Sequence, residues 1–331
     1  MTRKTNLTID DIAKDLNVSK TTVSRAISGK GRISEATRQR IQDYIRDHNY
    51  RPNAAAKALA ENKTYNLAFI VPRDFISLDL PHVRQSMSAI AEEAYLKDYN
   101  ILICLARDDD PTPLLRTLDH RKADAVILAR TVENDQMAQI LTERNVPFAT
   151  IGSLPYAYHG KAVVEADHDQ RGGCRAFTTD FLRSAQGAIG VLGNDVNYIV
   201  NQSRLTGIRE ALSDTGKTAE IKTGICSDTQ CAQAVDQLLR QGVRRFLAMD
   251  DEVCMRILEH LRKRQIRVPE DVQLASLFDS DLLAVNKISA LHFDAAELGR
   301  VACRELLKHL AGEPFDAAPV LGYKIQLRKS T

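Results

Sequence analysis

No apolar run in the 331-residue chain approaches the ~18 residues a membrane-spanning helix needs, so the sequence offers nothing to a membrane reading. Cysteines paired as CxxC are also missing. The six present (Cys104, Cys174, Cys226, Cys231, Cys254 and Cys303) are scattered and read as reduced thiols, mostly core fillers, which disfavours a disulfide scaffold or a zinc finger. Met1-Thr2-Arg3-Lys4-Thr5-Asn6 leads into alternating polar and apolar residues, not the apolar block of a signal peptide, and the expected location is the cytoplasm. There is no GxxxxGK[ST], no GxSxG and no HExxH. Catalytic residues, cofactor and metal are accordingly all expected to be none.

What is present points to more than one domain. At roughly 150 residues per domain the length suggests two or more, and 44% apolar composition supports a buried core. The net charge of +2 conceals an asymmetry. Residues 1–60 carry twelve Lys/Arg against six Asp/Glu, a charge of +6, which leaves −4 for the other 271 residues. A small basic unit on a larger acidic one suggests a polyanion partner for the first part alone, with a solvated basic face as the bland alternative.

Within that basic unit, Thr8-Ile9-Asp10-Asp11 has the form of a capping box, with Leu7 and Ile12 placed for a hydrophobic staple. Ile9, Ile12, Ala13 and Leu16 form one apolar face. Asn17-Val18 interrupts it, and Asn tolerates the left-handed conformation of a tight turn. Ser19 suits the cap of a second helix from Lys20 to Ser28, with Val23 and Ile27 inward, and Gly29-Lys30-Gly31 ends it. Ser34 caps a third from Glu35 to about His48, with Ile41, Tyr44 and Ile45 inward. Two short helices joined by a tight turn and braced by a third make a helix-turn-helix. The second presents Lys20, Thr21, Thr22, Ser24 and Arg25 outward, a cationic face with donors for base edges and phosphates. An alanine-rich segment follows, entered through Pro52 with Asn53 as its cap; its two turns are too few for stability alone in water. Leu59 is its one large apolar residue, and burial against a domain is its plain reading.

"LTIDDIAKDLNVSKTTVSRAIS" and "ISEATRQRIQDYIRDHNYRPNAAAKALA" closely resemble the DNA-binding headpiece and hinge of the lac repressor/galactose repressor (LacI/GalR) family of bacterial transcription factors. The resemblance implies that Lys20, Thr21 and Arg25 read bases in the major groove. It implies that Thr8, Ser19, Thr22, Ser24, Ser34 and Asn53 hold phosphates or the geometry of the complex. It also matches Leu59 to the residue that family dimers wedge into the minor groove, unstacking a base step to kink the duplex. The domains so implied are a headpiece at 1–50, a hinge at 51–64, and a core.

From Tyr65 onward, apolar runs at 67–72, 101–105, 125–129, 148–151, 188–192, 246–249 and 272–277 alternate with amphipathic stretches at 82–98, 114–122, 135–144, 203–213, 229–241 and 252–265. That alternation means βαβ units and parallel sheets, which bind ligands in crevices at strand carboxyl ends. Here the family resemblance persists through "ADAVIL" (123–128), "SRLTGIREAL" (203–212), "AMDDEVCM" (248–255) and "VPEDVQLASLFDSD" (268–281). It implies a periplasmic-binding-protein-like core of two α/β parallel-sheet subdomains, at about 65–163 plus 293–322 and about 164–292, joined by crossovers around a cleft.

Three charged positions in these landmarks match family effector contacts: Arg204 at the start of a helix, and Asp250 and Asp279 directly after apolar strands. Carboxylates accepting from vicinal hydroxyls, with one guanidinium donor, suit a sugar or polyol better than a strong anion. The competing reading of each is a surface or interdomain ion pair. The chain departs from the family where Asn-Pro-Phe-Phe often lines the cleft. It has Leu80-Pro81-His82-Val83 there, after about four extra residues in the stretch 73–79, and Phe293 stands near an often polar position. His82 is a ligand contact on one reading and a capping or surface residue on the other. Gly172-Gly173 is expected in a loop. The stripe Leu298/Val301/Ala302/Leu306/Leu307 reads as core or dimer packing, and no leucine-heptad tail suggests a tetramer.

The expected function is thus a ligand-responsive repressor that binds a near-palindromic operator as a homodimer under a sugar-like effector. The alternatives are a cytoplasmic solute-binding protein, against which the headpiece argues, and an α/β enzyme acting on a sugar or nucleoside.

Overall fold

A computed structural model describes the chain apart from residues 1–6, 30, 51–53, 74–80, 159, 162 and 184–186. It divides into two compact units, 1–64 and 65–331. Asn53, Lys30 and most of the extra residues at 73–79 lie outside the described residues.

The first unit holds α1 (Ile9–Asp15), α2 (Lys20–Ser28), α3 (Glu35–Asp47) and α4 (Ala54–Glu61). Short helices need their free backbone donors satisfied, and each of the first three begins on a side-chain cap. Thr8 Oγ1 accepts from the Asp11 amide at 3.3 Å while the Asp11 carboxylate accepts from the Thr8 amide at 2.9 Å, completing the capping box. Ser19 accepts from the Thr22 amide at 3.0 Å and Ser34 from the Thr37 amide at 3.2 Å. Asn17 takes the left-handed turn at φ 48. Ile12, Val23 and Ile41 are wholly buried with Ala13, Ala26 and Tyr50 around them. At about 1.5–3 kcal/mol per large side chain, this small core is enough to hold three short helices together.

The second unit runs β1 (Asn66–Pro72), α5 (Pro81–Tyr95), β2 (Asn100–Ala106), α6 (Thr112–Asp119), β3 (Ala125–Leu128), α7 (Gln136–Glu143), β4 (Phe148–Ile151) and β5 (Val164–His168). It continues through α8 (Gln170–Leu182), β6 (Ile189–Leu192), α9 (Ile199–Thr215), β7 (Ala219–Lys222), α10 (Asp228–Arg240), β8 (Arg245–Ala248), α11 (Asp251–Lys263) and β9 (Gln273–Ser276). Last come α12 (Asp281–Val285), β10 (Ser289–His292), α13 (Ala295–Ala311), β11 (Val320–Leu321) and β12 (Lys324–Gln326). One six-stranded sheet has the order β11-β5-β4-β3-β1-β2 and the other β12-β10-β9-β8-β6-β7. Every neighbouring pair is parallel except β10 with β12. Central strands are covered on both faces, which is why they read as unbroken apolar runs. In β1, Leu67, Phe69 and Val71 pack on one face and Ala68 and Ile70 on the other.

The chain passes between the sheets three times, after β5, after β10 and after β11. The first passage corrects the sequence boundary: 164–168 is not the start of the second half but the strand beside β4. A second correction concerns Gly172 and Gly173, which lie in the first turn of α8 and not in a loop. Glycine disfavours a helix by about 1 kcal/mol, but close packing requires it here. A Cβ on Gly173 would stand 2.9 Å from the Tyr323 ring, and one on Gly207 of α9 would stand 2.4 Å from the Arg171 carbonyl oxygen of α8. Leu298, Ala302 and Leu306 on α13 pack into the core of the first sheet. Among the described residues no helix is long and apolar enough to cross a membrane.

Candidate functional site

The first unit offers an exposed cationic face. Val23 and Ala26 bury one side of α2, and this leaves Lys20, Thr21, Ser24 and Arg25 exposed on the other. Lys20 Nζ lies 2.6 Å from Asp10, a surface pair that water and salt weaken. The Arg25 side chain lies against Gly31, at φ 86, where a Cβ would meet Arg25 Cδ at 3.0 Å. Thr8, Ser19 and Ser34 serve first as helix caps, and the Ser19 and Thr22 hydroxyls are 2.8 Å apart. Their position at helix N-termini is also where a phosphate oxygen is attracted. Leu59 on α4 is 85% exposed.

In the second unit a cavity of about 230 Å³ opens where the carboxyl ends of both sheets meet. Arg130, Thr131, Asp167 and His168 line it from the first sheet, and Asn194, Tyr198, Asn201, Arg204, Asp250, Asp251 and Phe278 from the second. His82 of α5 and Phe293 after β10 complete it. Four of the five effector positions expected from sequence, His82, Arg204, Asp250 and Phe293, therefore come together.

Arg204 does not open its helix as expected; α9 starts at Ile199, which puts Arg204 in the second turn. It is 6% exposed, and its Nε donates to Gln170 Oε1 at 3.1 Å and its Nη1 to the Met249 carbonyl at 2.8 Å. Its guanidinium also lies 5.5 Å from the centre of the Phe278 ring. A side-chain amide, a backbone carbonyl and an aromatic ring thus hold the charge in place, with no carboxylate among the described residues at ion-pair distance. Asp250 caps α11, its Oδ1 accepting from the Val253 amide at 2.8 Å. Burial pushes its carboxyl up to about 6, against the pull of that hydrogen bond and of Arg204. His82 meets Phe278 edge-on at 5.1 Å, and Phe293 stacks 6.4 Å from Phe278. Burial first and Arg204 second push His82 down to about 4, so the imidazole is neutral.

Asp279 is the exception. It does not line the cavity: both of its oxygens are held by Arg328, each at 2.7 Å, and His292 lies 3.7 Å away. In place of the crevice contact expected from sequence stands an ion pair, but a largely buried one within the second sheet's half rather than the surface or interdomain pair of the competing reading.

Several lining residues escaped the sequence reading. Arg130 and Thr131 follow β3 after one intervening residue, Ala129, so the strand-end rule applied there would have found them. Arg130 Nη2 pairs with Asp108 at 2.7 Å and its guanidinium lies 4.5 Å from the Tyr198 ring centre. Asp167 and His168 end β5, a strand whose alternating polar residues gave no apolar run. Asp167 accepts from Ser153 Oγ at 2.7 Å and from the His168 amide at 2.7 Å, yet burial dominates and raises its pKa. At the cavity rim the two halves touch directly: Val132 and Tyr198 form an antiparallel bridge, with Glu133 N donating to Asn197 O at 3.0 Å.

A helix-turn-helix followed by two parallel sheets closing on a cavity defines a DNA-binding regulator with a periplasmic-binding-protein-like core. Comparison with known proteins agrees. Residues 8–53 match the model for bacterial regulatory proteins of the lacI family, and residues 181–331 match that for the periplasmic binding protein-like domain. The regulator DegA of Bacillus subtilis is 29% identical over 288 residues, 84% of this chain and 82% of DegA. Catabolite control protein A of Staphylococcus aureus is 24% identical over 345 residues, 98% and 99% of the two chains. Among solved structures, the Lac repressor dimer bound to operator and the anti-inducer ONPF superposes with a TM-score of 0.76 at 19% identity, covering 99% of each chain. The regulator CelR in complex with cellobiose superposes at 0.73 and 24% identity, covering 98% of this chain and 100% of that one. Residues 8–53 thus carry the DNA-binding domain of lacI family regulators, and the relatives that span most of the chain are transcriptional regulators of that family, which are not enzymes.

Proposed function

We propose that the protein is a cytoplasmic, ligand-responsive repressor that binds a near-palindromic operator as a homodimer and responds to a sugar or polyol in the cavity. The single observation that carries this is the pairing, in one chain, of an exposed Lys20/Thr21/Arg25 face with a cavity lined from both sheets. In this reading Lys20, Thr21 and Arg25 reach base edges, and Thr8, Ser19, Thr22, Ser24, Ser34 and Asn53 position the backbone. Leu59 wedges into the minor groove. Named neighbours support the ligand class, since solved relatives carry cellobiose or ONPF.

Dimerisation is supported by apolar groups left uncovered on the second unit. Ile103 and Leu105 lie on the edge strand β2, with Tyr95 and Leu96 nearby in sequence, and Leu282 and Val285 are exposed on α12. An open apolar edge invites pairing, and a two-fold protein implies two-fold DNA. His82, Arg204, Asp250 and Phe293 contact the effector, while Asp279 supports the fold beside them. Because the cavity is shared by the two sheets, ligand affinity that differs between their relative orientations shifts the equilibrium between them, and by no more than that difference. Selection of binding sites from a random duplex pool tests the reading. A two-fold symmetric consensus bound by two chains is expected; enrichment of no sequence would refute it.

A further inference from the structure

The charges at the cavity do not balance. Arg130 is cancelled by Asp108 and Glu252 by Arg256, each pair at 2.7 Å. Arg204 then stands against three carboxylates, Asp167, Asp250 and Asp251, which leaves a formal surplus of two negative charges. Among the described residues none of these three carboxylates has a cation within ion-pair distance. Among the described residues Asp250 accepts from the Val253 amide, Asp167 accepts from Ser153 and the His168 amide, and Asp251 has the neutral Ser280 hydroxyl beside it.

A second observation is independent of the acids. His168 is 5% exposed and lines the cavity, and its Nε2 is buried without a hydrogen-bond partner among the described residues. Burial pushes this ring down to about 4, so it is neutral and has one nitrogen able to accept. The cavity is therefore rich in acceptors and in negative charge, in an environment that penalises both when unmatched. A neutral sugar supplies hydroxyl donors and leaves the charge standing, and an anion increases it. An ammonium group offsets the charge and brings three donors at one point.

We propose that the ligand of this cavity is a polyhydroxylated amine, an amino sugar or aminopolyol, whose ammonium is received by Asp250 and Asp251 while the open acceptor of His168, on the other sheet, takes a hydroxyl of the same ligand. This inference rests on the reading of the cavity as the effector site, and narrows its chemistry.

The test is calorimetric titration of the full chain at neutral pH with matched sets: glucosamine, glucose and N-acetylglucosamine; the galactose counterparts; and 1-amino-1-deoxysorbitol with sorbitol. At least one free amine should bind about tenfold or more tightly than both its neutral parent and its acetylated form. Asp250→Asn removes a charge while keeping a good helix cap, and should bring amine and parent within about twofold of each other. Asp251→Asn should shrink the preference too, whereas His168→Gln should weaken amine and parent alike; each variant is checked for folding by circular dichroism. Equal or tighter binding of neutral parents would overturn the inference, as would no amine binding at about 10 mM ligand. Site selection on DNA, run on the same preparation, separates this failure from that of the regulatory reading.

Discussion

Arg328 near the carboxyl end of the chain grips Asp279 with both terminal nitrogens, Nη1 to Oδ1 and Nη2 to Oδ2, each at 2.7 Å. The same Nη1 donates to the Ile288 carbonyl at 2.6 Å, so one guanidinium ties the segment after β12 to the end of β9 and the start of β10. The Asp279 side chain is 7% exposed and that of Arg328 19%.

Breaking one side of such a pair strands a buried charge, which costs about 3–5 kcal/mol when the site is fully enclosed and less here because Arg328 retains some water. Asp279→Asn should therefore lower unfolding stability by about 2–3 kcal/mol while leaving ligand affinity in the folded protein intact. Urea unfolding and calorimetric titration of the variant check the two halves of this statement.

Arg25→Ala removes an exposed side chain with no part in the headpiece core. Specific DNA affinity should fall by about 1–3 kcal/mol, and discrimination should relax at one position of each half-site. The unfolding midpoint and the affinity for random duplex should hardly move. Fluorescence anisotropy with selected and scrambled duplexes measures both, and an equal loss on both duplexes would make Arg25 a phosphate contact instead.

Leu59→Gly tests the hinge. At 85% exposure Leu59 contributes little to either unit by burial, so the loss should be confined to the DNA complex. The bend angle from circularly permuted fragments should decrease, with affinity down by a few kcal/mol at most, about the cost of unstacking one base step.

His168 has a signed pH dependence. Its ordinary value is 6.5 and burial takes it to about 4 in the folded chain. Above 6.5 both folded and unfolded rings are neutral and the group is silent. As pH falls from 6.5 towards 4 the unfolded ring takes a proton that the folded ring refuses, so stability is lost, approaching about 1.4 kcal/mol per pH unit. His168→Gln should remove that share of the slope over the interval, leaving the parallel share of His82, and should change little above it, as read by urea midpoints across the range.

Much of the architecture was legible because it rests on local rules. The caps at Thr8, Ser19 and Ser34, the left-handed Asn17 and the inward Ile12, Val23 and Ile41 all follow from spacing and side-chain chemistry. The long apolar strands were equally plain. The strands at 164–168, 219–222 and 289–292 were not, since each mixes polar residues into a run of four or five and depends on neighbours for its pairing. Gly172 and Gly173 read as a loop because the helix they enter is held by contact with Tyr323 and α9, which local propensity does not contain. In the site, Arg204 and Asp250 were found by resemblance and strand-end placement. Asp279 met the same criteria and went elsewhere, because its partner Arg328 lies 49 positions along the chain. His168 was hidden with its strand.

The most direct measurement is anisotropy titration of the intact chain onto a duplex carrying the selected symmetric site, against random competitor, with and without a ligand shown to occupy the cavity. Two chains should bind per duplex, with affinity at least about a thousandfold above random DNA, and the ligand should shift that affinity. Binding of random and selected duplexes alike, or a ligand that fills the cavity and leaves DNA affinity untouched, would contradict the coupling of headpiece to core.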